Sequence, residues 1–354
     1  MRIGILGYPQ CGKTTLFNVL SRAHAPTGAA ASRGGVQIGT VEVPDPRLEA
    51  LRDLFEPRKY TPARIEYVDL AGPTGGSDKD GPLLPQQITT SDLILLVVRA
   101  FDDPAVAHPK GSVDPLRDLS DFSDELVLRD LAVLEGRLER VRKAKMGGVK
   151  EAAAELPLLE RCVEALEAGN PLRGITLSPE EEKALRGYQP LTAKPLLVLF
   201  NVGDDQASGA GLVEGLPAAS HTGFLEISGK AEMEIADLEG DDQREFMELL
   251  GITESGLDRV IRKSYDLLGA CSFFTVGKDE VRAWTIHRDT RAVEAAGAIH
   301  SDLQRGFIRA EVISGEDLIR SGGLAAAKAA NLLRVEGKDY PVRDGDVLNI
   351  RFSV

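Results

Sequence analysis

Gly7-Tyr8-Pro9-Gln10-Cys11-Gly12-Lys13-Thr14 decides the fold. The stretch fits G-x-x-x-x-G-K-[ST], in which glycines let the backbone wrap a phosphate chain with successive N–H groups pointing inward. In that pattern Lys13 reaches the β- and γ-phosphates and the Thr14 hydroxyl ligates magnesium, while Gln10, Cys11, Gly12 and Thr15 complete the nucleotide-binding loop. The context is the one the motif needs. Arg2 to Gly7 is a short apolar strand, and Leu16, Val19 and Leu20 continue as one face of a helix.

Outward from the loop, strands and helices alternate. Ala63 to Asp69 alternates apolar and polar and ends on an acid, and Leu93 to Val98 is continuously apolar, as in a strand buried on both faces. The style resumes at Pro195 to Phe200 and Phe224 to Ser228, which implies an α/β fold with a doubly wound parallel sheet. Between these blocks Val127, Leu131, Leu134, Leu138 and Val141 step by 4, 3, 4, 3. Ala152, Leu156, Leu159, Val163 and Leu166 repeat the steps beyond Gly147-Gly148, describing an inserted antiparallel helical hairpin. At the C-terminal end Val281 to Ile286, Phe307 to Ile313 and Val347 to Phe352 read as strands. Ala292 to Leu303 reads as a helix, and Arg343 to Asp346 as the turn of a closing hairpin, together a small α+β domain. The expected division is a nucleotide-binding domain at 1–120 and 191–271, the hairpin at 121–190 and the last domain at 272–354.

Composition narrows the setting. Hydrophobic residues make up 43% and charged residues 27% of the 354, an ordinary globular balance. Apolar runs are far short of the ~20 residues a membrane span needs, so no membrane partner is expected. Cys11, Cys162 and Cys271 lie far apart without a C-x-x-C, which encodes neither a disulfide framework nor a zinc site and suits a reducing cytoplasm. The formal charge of −13 argues against a general DNA binder and leaves room only for a local basic patch. One such patch lies at the hairpin turn, where Arg137, Arg140, Arg142, Lys143, Lys145 and Lys150 stand with Glu139 as the one acid between 137 and 150. Arg140, Arg142, Lys143 and Lys145 are the candidate contacts to RNA phosphates.

Two further motifs complete a nucleotide site. Asp69-Leu70-Ala71-Gly72 ends a strand, where the carboxylate would hold magnesium and the Gly72 N–H would sense the γ-phosphate. Many GTPases follow this glycine with a water-orienting Gln; here it is Pro73, which cannot act so. Asn201-Val202-Gly203-Asp204 follows the next apolar strand, as N-K-x-D does in GTPases, with Asn at the purine's imidazole edge and Asp at the guanine N1–H and 2-amino group. Val202 removes the lysine that packs along the base, and Ser228-Gly229-Lys230 matches the loop that closes over it. The five histidines show no ligand spacing.

Taken in order, GYPQCGKTT, DLAG, NVGD and ISGK with a helical hairpin between the second and third resemble the YchF/Obg-like ATPase family. So do VPDPRLEALRDLFEPRKYTPARIEYVDLAG, LLGACSFFTVGKDEVRAWTIHRDT and GKDYPVRDGDVLNIRFSV, the last two covering that family's C-terminal TGS domain, a ubiquitin-like β-grasp fold. The resemblance spans essentially the whole chain. It implies a P-loop GTPase-type fold, hydrolysis mainly of ATP, and association with ribosomes. Departures stand beside it. Gln10 replaces a family Asn linked to potassium-assisted hydrolysis, which puts potassium dependence in doubt. AASRGGVQIG from Ala30 replaces the Cys-Thr-Ile-Glu-Pro run of the first switch, so its magnesium-completing threonine is not assigned. Pro73-Thr74-Gly75-Gly76 replaces the apolar residue and basic glycine-rich run of the second switch, and Asp204 replaces a family Glu.

The resulting expectation is a monomeric, magnesium-dependent nucleoside triphosphatase acting as a ribosome-associated switch, with ATP favoured over GTP and turnover slow without a partner. Lys13 and Gly72 would be catalytic, Thr14 and Asp69 the metal ligands, and Asn201, Val202, Asp204, Ser228 and Gly229 the base site. The same residues fit a GTP-specific translation-associated GTPase, or a nucleotide-binding docking module with little turnover.

Overall fold

The structure, a computed structural model, describes residues 1–21, 35–71, 84–207 and 209–353. They form two compact units, one of 1–41 with 66–267 and one of 42–65 with 268–354.

The first unit is built on a sheet ordered β2-β4-β1-β5-β6-β7. Its strands are β1 (Arg2–Leu6), β2 (Gly35–Glu42), β4 (Arg64–Ala71), β5 (Leu93–Ala100), β6 (Leu196–Val202) and β7 (Thr222–Ile227). β1 pairs parallel with β4 and β5, β5 with β6, and β6 with β7. All seven side chains of β6 are buried, as are the first seven of β5, which is why these runs show no alternation in sequence. Helices α1 (Lys13–Ser21), α3 (Gln86–Thr89), α7 (Gly229–Ala236), α8 (Gly240–Leu249) and α9 (Gly256–Leu267) connect and flank these strands. β1 is flanked by β4 on one side and by β5 on the other. A crevice opens at the carboxyl ends of strands where the order splits in this way.

The hairpin consists of α4 (Pro115–Met146) and α5 (Lys150–Glu167), followed by the short α6 (Pro179–Arg186). α4 begins six residues before the expected boundary, because Asp114 caps it by accepting from Arg117 N and Pro115 occupies its first turn. At 1.5 Å per residue its 32 residues extend about 48 Å. Of the heptad positions, Val127, Leu134, Leu138 and Val141 are buried against Ala152, Leu156, Leu159, Val163 and Leu166, with Leu131 partly buried. Gly148, at φ 84°, supplies the left-handed residue that the turn requires.

The second unit contains β8 (Ala270–Thr275), β9 (Glu280–His287), α10 (Ala292–Ile299), β10 (Phe307–Ser314), β11 (Arg334–Glu336) and β12 (Asp346–Phe352). Its sheet runs β11-β10-β12-β8-β9-β3. β12 lies parallel to β8, while β8 and β9, β10 and β11, and β10 and β12 are antiparallel. That order is a β-grasp. Two expectations need correction here. The Arg343–Asp346 turn forms, with Gly345 at φ 83°, but it does not close a hairpin, since β12 pairs with β10 and β8 rather than with β11. Residues 42–65, assigned from sequence to the nucleotide-binding domain, group with the C-terminal unit. The reason is burial: Leu48 and Leu51 of α2 (Pro46–Phe55) pack with Phe274, Val281, Ile313 and Val347. β3 (Lys59–Thr61) adds a parallel edge strand to β9.

Candidate nucleotide site

The site forms where the loops after β1, β6 and β7 meet the end of β4. Gly7 and Gly12 adopt φ 146° and 98°, open to glycine and strained for other residues. A Cβ on Gly7 would lie 2.3 Å from the Val97 carbonyl oxygen, and one on Gly12 2.2 Å from Asn201 Nδ2. Gln10 also takes a left-handed φ of 63° and is exposed, so the loop turns without a third glycine. Cys11 is buried, which pushes its thiol pKa up. α1 starts at Lys13, with Thr14 and Thr15 in its first turn, and presents a helix N-terminus suited to anions.

Lys13 is buried, and its ammonium donates to the Gly7 carbonyl at 2.9 Å and the Tyr8 carbonyl at 2.8 Å. Two of its three N–H groups are thereby directed into the loop. Thr14 Oγ1 donates to Asp69 Oδ2 at 2.9 Å, joining α1 to the end of β4. Asp69 is fully buried and its Oδ1 has no hydrogen-bond partner among the described residues. Burial raises its pKa, against opposing pulls from Thr14 and Lys13. A hydroxyl beside a buried carboxylate with an orphaned oxygen is a hard oxygen donor set, and it fits magnesium. Gly72 and Pro73 of the second switch, and Ala30 to Gly34 of the first, lie outside the described residues.

Asn201 is buried and braces the loops: Nδ2 donates to the Cys11 carbonyl at 3.0 Å, and Oδ1 accepts from Gly229 N at 2.9 Å. Asp204 accepts from Ser228 Oγ at 2.7 Å and from Lys230 Nζ at 2.5 Å. Burial alone would raise the Asp204 pKa, but these two donors outweigh it and hold the carboxyl below its ordinary range. Val202 is buried in the sheet core with Leu6, Val98 and Phe200.

Three features carry no sequence motif. Glu226 on β7, itself buried, accepts from the backbone N–H groups of Ala210, Gly211 and Val213, which fixes the segment that follows the Asn-Val-Gly-Asp turn. His108 Nε2 meets Asp118 Oδ2 at 2.8 Å, both side chains being buried. Tyr8 reaches the base of the hairpin, where its hydroxyl donates to Glu125 Oε1 at 2.8 Å. An aromatic residue inside a phosphate loop was the one visible signal of that contact.

The hairpin turn is basic, but less so than the local sequence count. Arg137 forms two 2.8 Å hydrogen bonds to Glu155, and Arg142 meets Glu160 at 3.0 Å, both acids being supplied by α5. Arg140 Nε donates to the Gly136 carbonyl in its own helix. Lys143, Lys145 and Lys150 are exposed and form no ion pair with the described residues. Met146 is 82% exposed and Val149 45% exposed beside them. No helix among the described residues is long and apolar enough to cross a membrane.

Comparison with known proteins agrees with this layout. A family model described as 50S ribosome-binding GTPase matches residues 2–133, and the YchF GTPase C-terminal model, described as a protein of unknown function, matches residues 270–353. The chain is 40% identical over 361 residues to the ribosome-binding ATPase YchF of Bacillus subtilis, covering 99% of both chains. It is 40% identical over 364 residues to the protein of that name from Escherichia coli O157:H7, covering 100% of this chain and 99% of that one. The solved structure of the Schizosaccharomyces pombe YchF GTPase superposes with a TM-score of 0.81 at 28% identity, covering 99% of this chain and 97% of that one.

Proposed function

The chain belongs to the YchF family, and from that premise we propose that it is a magnesium-dependent ATPase acting as a ribosome-associated switch. The observation that carries the reading is the pairing of Lys13, held by the Gly7 and Tyr8 carbonyls, with the Thr14–Asp69 bond. Together they set one cation and one oxygen donor pair at the mouth of a glycine-shaped anion cradle. Thr14 and Asp69 would hold magnesium, which when bound neutralises charge on the phosphate oxygens. Lys13 directs its remaining N–H toward the phosphates and stabilises charge there, and the loop N–H groups orient the chain.

ATP is favoured because Asp204 already accepts from Ser228 and Lys230, which reduces its capacity for the two donors on guanine. Discrimination of about 1–3 kcal/mol is expected from so few contacts, with Asp204→Glu moving it further toward ATP. Intrinsic turnover is slow, far below the ~10 s⁻¹ of a typical enzyme, because Gln10 and Pro73 leave no evident side chain to orient the attacking water. The related proteins are named for ribosome binding, and the exposed Arg140, Lys143 and Lys145 supply a surface of the right sign for RNA phosphates. Competitive binding of ATP and GTP, followed by single-turnover hydrolysis of each with and without ribosomes, tests the reading. Preference for GTP or absence of ribosome stimulation would count against it.

A further inference from the structure

Tyr8 makes four contacts, two with the first helix of the hairpin and two with Lys110 in the segment before it. Its hydroxyl donates to Glu125 Oε1 at 2.8 Å and accepts from Lys110 Nζ at 3.0 Å. Its ring packs edge-on against Phe122, centroids 5.4 Å apart, and the Lys110 ammonium sits 4.5 Å from the ring centre. Lys110 is anchored in turn on Asp121 Oδ2 at 2.6 Å. Asp121, Phe122 and Glu125 occupy adjacent turns of α4, so the whole set rests on one helix. Burial pushes the Tyr8 phenol up to about 12, with Lys110 pulling it down and Glu125 adding to the rise, so the hydroxyl remains a donor at neutral pH.

A small cavity lined by Tyr8, Cys11, Val97, Arg99, His108 and Phe122 adjoins the loop. The ring of Tyr8 packs against the apolar core on that side, and the polar tether fixes its hydroxyl end. The Tyr8 carbonyl is one of the two acceptors that aim Lys13. An ammonium with two N–H groups directed by carbonyls has the direction of its third set by geometry.

We propose that Glu125 and Lys110 are positioning residues for hydrolysis: by holding the Tyr8 side chain they hold its carbonyl, and through it the aim of the Lys13 ammonium. The inference rests on the nucleotide-site reading above. It makes the base of the hairpin part of the phosphate-binding apparatus. A force on the hairpin reaches Lys13 by the same contacts, and nucleotide occupancy biases the hairpin in return, as reciprocity of coupling requires.

A double-mutant cycle on the full chain tests it. Single-turnover ATP hydrolysis and the affinity for a fluorescent ADP analogue are measured for wild type, Tyr8→Phe, Glu125→Ala, Lys110→Ala, Glu125→Gln and Tyr8→Phe/Glu125→Ala. Glu125 and Lys110 are exposed, so these variants keep the fold, which thermal melts check. Tyr8→Phe and Glu125→Ala should each slow hydrolysis about tenfold, the size of effect a small misplacement produces, with a smaller loss of ADP affinity. The double variant should be no slower than either single, because both remove the same bond. Glu125→Gln should retain most of the rate, since its amide oxygen still accepts from Tyr8. Multiplicative losses in the double variant, or no loss in the singles, would overturn the proposal. A Lys13→Ala control that hydrolyses as fast as wild type would instead remove the underlying nucleotide-site reading.

Discussion

Asn201 reaches across 190 residues to Cys11, its Nδ2 donating to the Cys11 carbonyl at 3.0 Å. The same amide accepts from Gly229 N at 2.9 Å, so one buried side chain fastens the phosphate loop, the turn after β6 and the start of α7. Asn201→Ala leaves a buried carbonyl and a buried N–H without their partner, a loss of about 1–3 kcal/mol in stability. Affinity for ATP and GTP should fall together, as measured by denaturant unfolding and nucleotide titration. A loss confined to one nucleotide would show that Asn201 reads the base rather than bracing the loops.

Gly12→Ala should be more severe at the site. The added methyl would meet Asn201 Nδ2 at 2.2 Å, on a backbone at φ 98°. The clash falls on the brace that closes the loop, so nucleotide binding should be lost while the C-terminal unit, whose core lies elsewhere, keeps its signals in two-dimensional NMR. Wild-type affinity in this variant would show that the loop is not shaped as described.

The Asp204–Lys230 pair gives a pH signature. The Asp204 carboxyl lies below its ordinary value when folded, because the bonds from Lys230 and Ser228 outweigh its burial. Such a group stabilises the fold above its unfolded pKa, and this contribution disappears as pH falls through the folded one. Lys230→Met removes the strongest of these donors and raises the folded pKa. Melting temperature should therefore begin to fall at a higher pH than in wild type when titrated from pH 7 downward. Coincident acid limbs would mean that the pair is too solvated to matter.

Local patterns were legible and long-range ones were not. The phosphate loop, the apolar strands β5 and β6 and both seams of the hairpin follow from spacing alone, since each is written in contiguous residues. The transfer of 42–65 to the C-terminal unit was hidden, because Leu48 and Leu51 declare an apolar helix face without naming the sheet it covers. Arg142 looked free in a window ending at 150, while its partner Glu160 lies on the returning helix. Val202 fell in a motif position but obeys the burial of its strand. Glu226 gave no signal, since its partners are backbone N–H groups, which leave no trace in side-chain identity.

The pairing of Arg142 refines the expected ribosome contact. Arg140→Ala/Lys143→Ala/Lys145→Ala should weaken co-sedimentation with ribosomes and flatten its salt dependence, each lost phosphate contact reducing the log–log slope by about 0.7–0.9. Adding Arg142→Ala should change little more, because it removes a cation that Glu160 already faces. Nucleotide affinity should be unaffected. Undiminished co-sedimentation of the quadruple variant would move the contact to the C-terminal β-grasp unit.

The most direct measurement of the central claim is single-turnover ATP hydrolysis by wild type and Lys13→Ala, each with and without ribosomes. The account predicts slow hydrolysis by the isolated wild-type chain, acceleration on adding ribosomes, and no hydrolysis above background by the variant under either condition. Equal rates for the two proteins, or a wild-type rate that ribosomes leave unchanged, would contradict it.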